Sequence, residues 1–306
     1  MLKYIIKRLL LLIPVVFGIT FIIFVVLNLA PGDPAAMILG QDATAEALAA
    51  KRAEMGLDQP IVIQYIRYIA GVLRGDFGTS WLSGYEVLPE FLHRIPYTIL
   101  LGSLSMFVAV IIGIPLGIIA AIRQYHFVDY ASLALALILF SLPSFWFAMM
   151  GQILFCLTLG WLPAAGVGSL AHFILPSIIA SFGLRYFPPA YPAFPPRVWR
   201  QDYIRTARAK GADERRVVAH HVLRNGMLPV VTQVGISFAS CMGGSVITET
   251  VFSIPGIGSL LINAVKGRDI PVVMGTLIFI AIFVGIVNLI VDVIYALIDP
   301  RVKLTA

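Results

Sequence analysis

Charge is what this sequence has least of. Asp, Glu, Lys and Arg together make up 12% of 306 residues, about half the charged fraction of a soluble domain. That excludes an ordinary water-facing enzyme and any disordered, charge-extended chain. Cysteine is nearly absent. Cys156 and Cys241 both sit in apolar runs and read as small buried hydrophobes rather than a disulfide pair. Histidine is sparse too. His220 and His221 are adjacent, so they point to different faces of a helix, and His93, His126 and His172 are isolated. His220 and His221 have no cysteine or carboxylate at metal spacing, so they are not a zinc site. No Ser-His-Asp set, HExxH or Walker lysine loop occurs, and Gly256 and Gly258 lack the strand context of a dinucleotide site. The chain therefore carries no cofactor site and cannot hydrolyse ATP alone. Any work it does is driven by a separate subunit or an ion gradient.

What is present is apolar surface: 59% of residues, with a mean hydropathy of +0.92. One core of this chain length cannot hide that much, so lipid must be the solvent for a large part of it. The runs predict an all-α membrane protein of six spans. The first is Leu9–Ala30, preceded by Lys3, Lys7 and Arg8; its length and the Pro31-Gly32-Asp33-Pro34 that follows favour a retained helix over a cleaved signal. Tyr97–Ile122, Tyr130–Leu159, Leu170–Phe187, Leu228–Glu249 and Val272–Ile298 follow. The fourth must end near Phe187, because five prolines crowd residues 188–196.

Six spans put both termini on one side. Assigning residues 1–8, 123–129, 184–227 and 299–306 to that side gives it 15 of the 22 basic residues. The positive-inside rule makes it the cytoplasm. The organisation expected is an N-terminal transmembrane helix (1–30), a periplasmic segment (31–96), a five-helix core (97–298) with a cytoplasmic loop at 199–227, and a cytoplasmic tail (299–306). Within the periplasmic segment, Thr44–Met55 reads as a helix with Thr44 as N-cap, Glu46 in the first turn and Gly56 closing it. Ile61–Leu73 reads as a helix along the membrane surface, and Gly75–Ser80 as a loop.

The cytoplasmic loop holds two short helices: Asp202–Lys210, ended by Gly211, and Glu214–Leu223, capped by Asp213. A basic face touching anionic lipid and a docking element for a cytoplasmic partner both fit it; a membrane-embedded chain disfavours a DNA-binding role.

Thr206-Ala207-Arg208-Ala209-Lys210-Gly211, about 18 residues before Leu228-Pro229, resembles the "EAA" loop of ABC-importer permeases. DYIRTARAKG followed by VLRNGMLPVVT, together with LAPGDPA, MGLDQP, GDFGTS and VFSIPGIGSLL, is similar to the peptide/nickel branch, the dipeptide- and oligopeptide-permease B-type subunits. The resemblance implies the type I ABC importer permease fold. It also implies a second homologous permease, two ATPase subunits holding ATP and Mg, and a periplasmic solute-binding protein. It assigns ATPase coupling to Arg205, Thr206, Ala207, Arg208, Ala209, Lys210, Gly211, Ala212 and Asp213, with Arg205 where the wider motif has Glu. The small residues Ala207, Ala209 and Gly211 suit close approach to a partner, and Arg205, Arg208 and Lys210 suit acidic groups on it. Contact with an external partner is expected at Glu249, Ile254, Pro255, Gly256 and Gly258. Residues 184–198, LRYFPPAYPAFPPRV, depart from the continuous helix of relatives, as a local variant or as compensating frameshifts in the gene.

Asp292 is the one plainly intramembrane acid; it serves either a proton relay or a structural bond to a neighbouring helix or a basic residue. Besides the importer permease, two readings stay open: a proton-coupled secondary transporter using Asp292, and a membrane scaffold recruiting a cytoplasmic partner. Dipeptides, oligopeptides, glutathione, nickel chelates and opines all remain open as substrates.

Overall fold

The computed structural model describes residues 2–40, 42–122, 126–183, 202–211, 213, 216–217, 234–238, 241 and 245–298. Every named element among them is helical. Helix α1 spans Leu2–Leu29, starting seven residues before the expected apolar run because Lys3, Lys7 and Arg8 join the same helix; Pro14 lies inside it. Lipid-embedded helices accept such a proline because neighbours re-satisfy the freed carbonyl.

Helix α2 (Pro34–Leu39) was not anticipated, although its signals are plain. Asp33 accepts from Ala35 N and Pro34 occupies the first turn. Helix α3 (Ala45–Glu54) has Thr44 as its N-cap, as expected, with Met55 as C-cap and Gly56 just beyond at φ +69°. Helix α4 covers Ile61–Val72. A turn then closes on an isolated antiparallel bridge, Thr79 to Glu86.

Helix α5 runs Val87–Ile122 through Pro96 and Pro115, starting ten residues before the expected span. The third run is not one helix. α6 (Phe127–Ser141) stops at Leu142, which is extended because Pro143 follows. α7 (Ser144–Gly151) restarts after that proline and loosens into a π-helical stretch, Gln152–Thr158. The fourth run appears as α8, described over Ala171–Gly183; the proline-rich 188–196 lies outside the described residues. α9 (Asp202–Ala209) is the first loop helix. Of the expected fifth span, 234–238, 241 and 245–249 are described. α10 (Val246–Val251) continues past its expected end. α11 (Ile257–Gly267) was not foreseen as a helix, and α12 (Ile270–Ile298) is the last long one.

Among the described residues, three helices are long and apolar enough to cross a membrane by composition: Lys3–Leu29, Val87–Gly113 and Ile270–Ile294. Shorter apolar helices accompany them at Ile61–Val72, Ser144–Thr158, Ala171–Phe182 and Ile257–Gly267. α1 packs along α12, and α5 along α8. One core joins Leu101 (α5), Ala148 (α7), Phe173, Leu175 and Ile179 (α8) to Phe252 and Ile254. A second joins Val87 to Leu260, Ala264, Val272 and Val273. Between the cores, α5 ties the α7–α8 half of the molecule to the α11–α12 half. Many large apolar side chains remain outward, Leu10, Ile22 and Val26 of α1 among them, as expected where lipid replaces water.

Candidate functional site: the coupling helix and a buried carboxylate

α9 is short, and its pattern decides its orientation. Ile204 and Ala207, one turn apart, are buried, whereas Arg205, Thr206, Ala209 and Lys210 are exposed. Ile204 and Ala207 thus seat the helix on its own chain, and the opposite face is exposed. This corrects one expectation: Ala207 is used internally, so the small residues open to a partner are Ala209 and Gly211. Lys210 N bonds Thr206 O at 3.0 Å, closing the last turn. Gly211 then takes φ +78°, the left-handed conformation that ends helices and that a Cβ strains. Asp213 and Arg216 are exposed and Val217 is buried. Val217 N bonds Asp213 O at 3.0 Å, so a new turn starts where Asp213 was expected to cap one. Ala212, the side chain of Arg208 and residues 218–233 lie outside the described residues.

At the other end of the bundle the expected contact set turns out to be internal. Glu249, Ile254, Gly256 and Gly258 are all buried; only Pro255 is partly open. Glu249 is a fully buried carboxylate. One oxygen accepts from Thr98 Oγ1 of α5 at 2.8 Å, the other from Ser259 N at 2.8 Å. Thr98 Oγ1 in turn accepts from Ile257 N at 2.8 Å. The free N–H groups of the first turn of α11 are therefore satisfied from α5 and α10 together, and the positive end of α11 faces the carboxylate. Gly256 permits it, since a methyl group there would overlap the Glu249 carboxyl. Sequence reasoning read Glu249 as a boundary residue because nothing local shows that Thr98, some 150 positions away, meets it. Beside this network lies an open cavity of about 320 Å³, lined by Glu86, Glu90, Arg94, Asn263 and Asp269 among others. Arg94 Nε donates to Glu90 at 2.6 Å, and Asp269 accepts from Ser80 Oγ and from Trp81 N.

Asp292 is paired. Its Oδ2 accepts from Tyr4 OH at 3.0 Å and lies 3.0 Å from Arg8 Nη2; Arg8 Nε also donates to Tyr4 at 3.0 Å. The acid therefore ties α12 to the basic start of α1, which is the bond to a neighbouring basic residue anticipated for it. Between α2 and α3, Arg52 holds Asp33 through two bonds. The Arg52 hydrogen bond keeps the Asp33 carboxyl below its ordinary pKa, against a smaller opposing effect of burial. Among the described residues no three His, Cys, Asp or Glu side chains group to hold a metal.

Residues 1–102 match the family model described as "Binding-prot-dependent transport system membrane comp, N-term". Residues 113–304 match that of "Binding-protein-dependent transport system inner membrane component". The chain belongs to this family. It is 41% identical over 308 aligned residues to the glutathione transport system permease protein GsiC of Salmonella paratyphi A, covering 99% of each chain. The identity is 40%, with the same coverage, to the GsiC protein of Escherichia coli strain K12. Among solved structures it is similar to a chain of the MetNI methionine ABC transporter in its inward-facing conformations. That TM-score is 0.56 at 18% identity, over 69% of this chain and 97% of the other; it carries the fold alone, that of a type I ABC importer permease. The chain is thus a multi-pass membrane permease subunit of an ABC importer and not an enzyme. Permeases of this family carry no cofactor; nucleotide binds the partner ATPase. A partner permease, an ATPase and a solute-binding protein are the family's general complement.

Proposed function

We propose that this chain is one of two homologous permease subunits that line an alternating-access path for glutathione or a similar peptide-like solute in a bacterial inner membrane. Its reading has six spans and both termini in the cytoplasm. The segment 31–96 and the Glu249 network lie on the periplasmic side, and 199–227 and 299–306 on the cytoplasmic side. Two ATPases supply the energy, and a periplasmic binding protein delivers the solute. The observation that carries the substrate class is the 40–41% identity to glutathione permeases along essentially the whole chain.

The coupling role is assigned to Arg205–Asp213, with Arg205, Thr206, Ala209, Lys210 and Gly211 as the docking face. A rigid short helix transmits displacement, and its exposed cations fix register on an acidic partner. ATP-driven closure of the ATPases shifts the population between inward-open and outward-open states only through such differential contact. The Asp292–Arg8–Tyr4 cluster argues against proton coupling, because a relay acid needs a free path for its proton and this one holds two helices together.

Uptake of labelled glutathione and of dipeptides into proteoliposomes containing the full complex tests the reading. ATP-dependent uptake that survives a protonophore and the substitution Asp292→Asn is expected. Uptake that collapses with either, or that proceeds without ATP, would sink it.

A further inference from the structure

Helix α4 sits deeper than the surface position its sequence suggests. Its inner face carries Tyr65, whose hydroxyl donates to Phe17 O at 3.0 Å and lies 2.9 Å from Thr20 Oγ1. The Tyr65 ring meets Phe21 edge-on at 5.1 Å and Phe24 at 5.6 Å. Phe17 lies twelve residues before Leu29, the end of α1, so about 18 Å along the helix axis. The apolar part of α1, from Leu9 to Leu29, rises about 30 Å, the thickness of the hydrocarbon layer. The Tyr65 hydroxyl therefore reaches about the middle of the hydrocarbon layer, with its ring against Phe21 and Phe24 in the half bordered by Leu29, not on the membrane surface.

Beside the Tyr65 face, about 70° round the helix, α4 presents a largely exposed apolar stripe. Val62, Ile66, Ile69 and Leu73 follow helical spacing. Val62 is 56% exposed, Ile66 60% and Leu73 76%. No acid occurs in the helix. Ile22, Val26 and Leu29 of α1, the helix on which α4 docks, are exposed as well, and α1 is long and apolar enough to cross the bilayer. Arg67 and Arg74 are exposed near the stripe; long cationic side chains reach from such positions to lipid phosphates.

The geometry points to α4 as a membrane-embedded helix of the outer leaflet, whose Val62–Ile66–Leu73 face is covered by phospholipid acyl chains. Its backbone can enter lipid because it is helical along its length. The outer side rests on the topology proposed above; the depth does not.

The test is spin-label accessibility in the assembled transporter, reconstituted in nanodiscs containing anionic phospholipid. Labels are placed at Val62→Cys and Ile66→Cys in a Cys156→Ala, Cys241→Ala background. Val26→Cys in α1 and Ala49→Cys in α3 serve as the lipid and water references. Collision rates with oxygen, which partitions into lipid, and with a polar nickel chelate, which does not, are compared. Both α4 labels should match Val26, with an oxygen-to-nickel ratio roughly tenfold or more above that at Ala49, since polar solutes are excluded from hydrocarbon. A ratio at the Ala49 level places α4 in water and overturns the proposal. Shielding from both probes places it under protein and overturns it equally. The ratio reads lipid against water in either leaflet, so a wrong topology and a wrong depth fail separately.

Discussion

Glu249 concentrates the most consequence in one residue. A carboxylate with no exposure survives only if its oxygens are bonded, and Thr98 and Ser259 bond both. Glu249→Gln leaves one acceptor for two donors and presents an amide N–H₂ to one of them. A loss of about 1–3 kcal/mol is expected, read as a lower melting temperature of the purified chain. Thr98→Val removes the shared hydroxyl and should cost a similar amount. The double variant should cost less than the sum, because the two groups form one network; strict additivity would refute the network. Asp33 gives a pH signature. Its folded pKa is lowered by Arg52, so the contribution is present above the ordinary carboxylate value and is lost as pH falls through the lowered one. Asp33→Asn keeps an acceptor for Ala35 N but loses the ion pair. Wild type should exceed the variant in melting temperature at neutral pH by an increment worth under about 1 kcal/mol. That gap should close as the pH drops below the ordinary carboxylate value of 3.8; a gap independent of pH would contradict the assignment.

At the scale of elements, the break between α6 and α7 stands out. A membrane helix interrupted at Leu142-Pro143 and followed by a π-helical stretch is a site where backbone groups are released from the regular ladder. Such interruptions recur where transporter paths bend or bind. Replacing proline by alanine inside a helix is worth up to about 3 kcal/mol of helix preference. Pro143→Ala should therefore stiffen the break, holding or raising the melting temperature while slowing uptake. Unchanged uptake would show that the interruption is only structural. The sequence announced the proline but not the break, because a proline inside an apolar run fits a kinked continuous helix equally well. α11 was missed for a related reason. Its first turn is capped by Thr98 and Glu249 rather than by a neighbour, and local pattern cannot show a cap supplied from a distant helix. α2, by contrast, was legible in Asp33-Pro34. α9 was legible as a helix from Asp202 to Gly211, since helix formers closed by a left-handed glycine form a local signal. Which of its alanines faces inward was not, because that depends on what Ile204 packs against.

Over the whole molecule, composition settled the solvent and the class, and motif resemblance settled the family. Long-range pairings decided how the pieces stand. Arg8 with Asp292, Arg268 donating to Ala30 and Gly32 carbonyls, and Thr98 with Glu249 each join residues some 150 to 290 positions apart. α1 and α12 are tied near both ends by two of these, so they should move as a unit when the transporter changes state. The Thr98 network binds α10 and α11 to α5. On the proposed mechanism, displacement delivered at α9 reaches the far end of the bundle through elements locked in this way, which makes docking at α9 the central claim.

Co-purification measures that claim most directly. The chain is extracted in detergent with its co-expressed ATPase, as wild type and as Gly211→Asp. The variant strains the left-handed turn, by an amount an aspartate tolerates without unfolding the bundle, and sets a negative charge against acidic partner groups. The account predicts that wild type retains the ATPase and that the variant loses it while keeping its melting temperature. Failure of wild type to capture the ATPase, or equal capture by the variant, would contradict it.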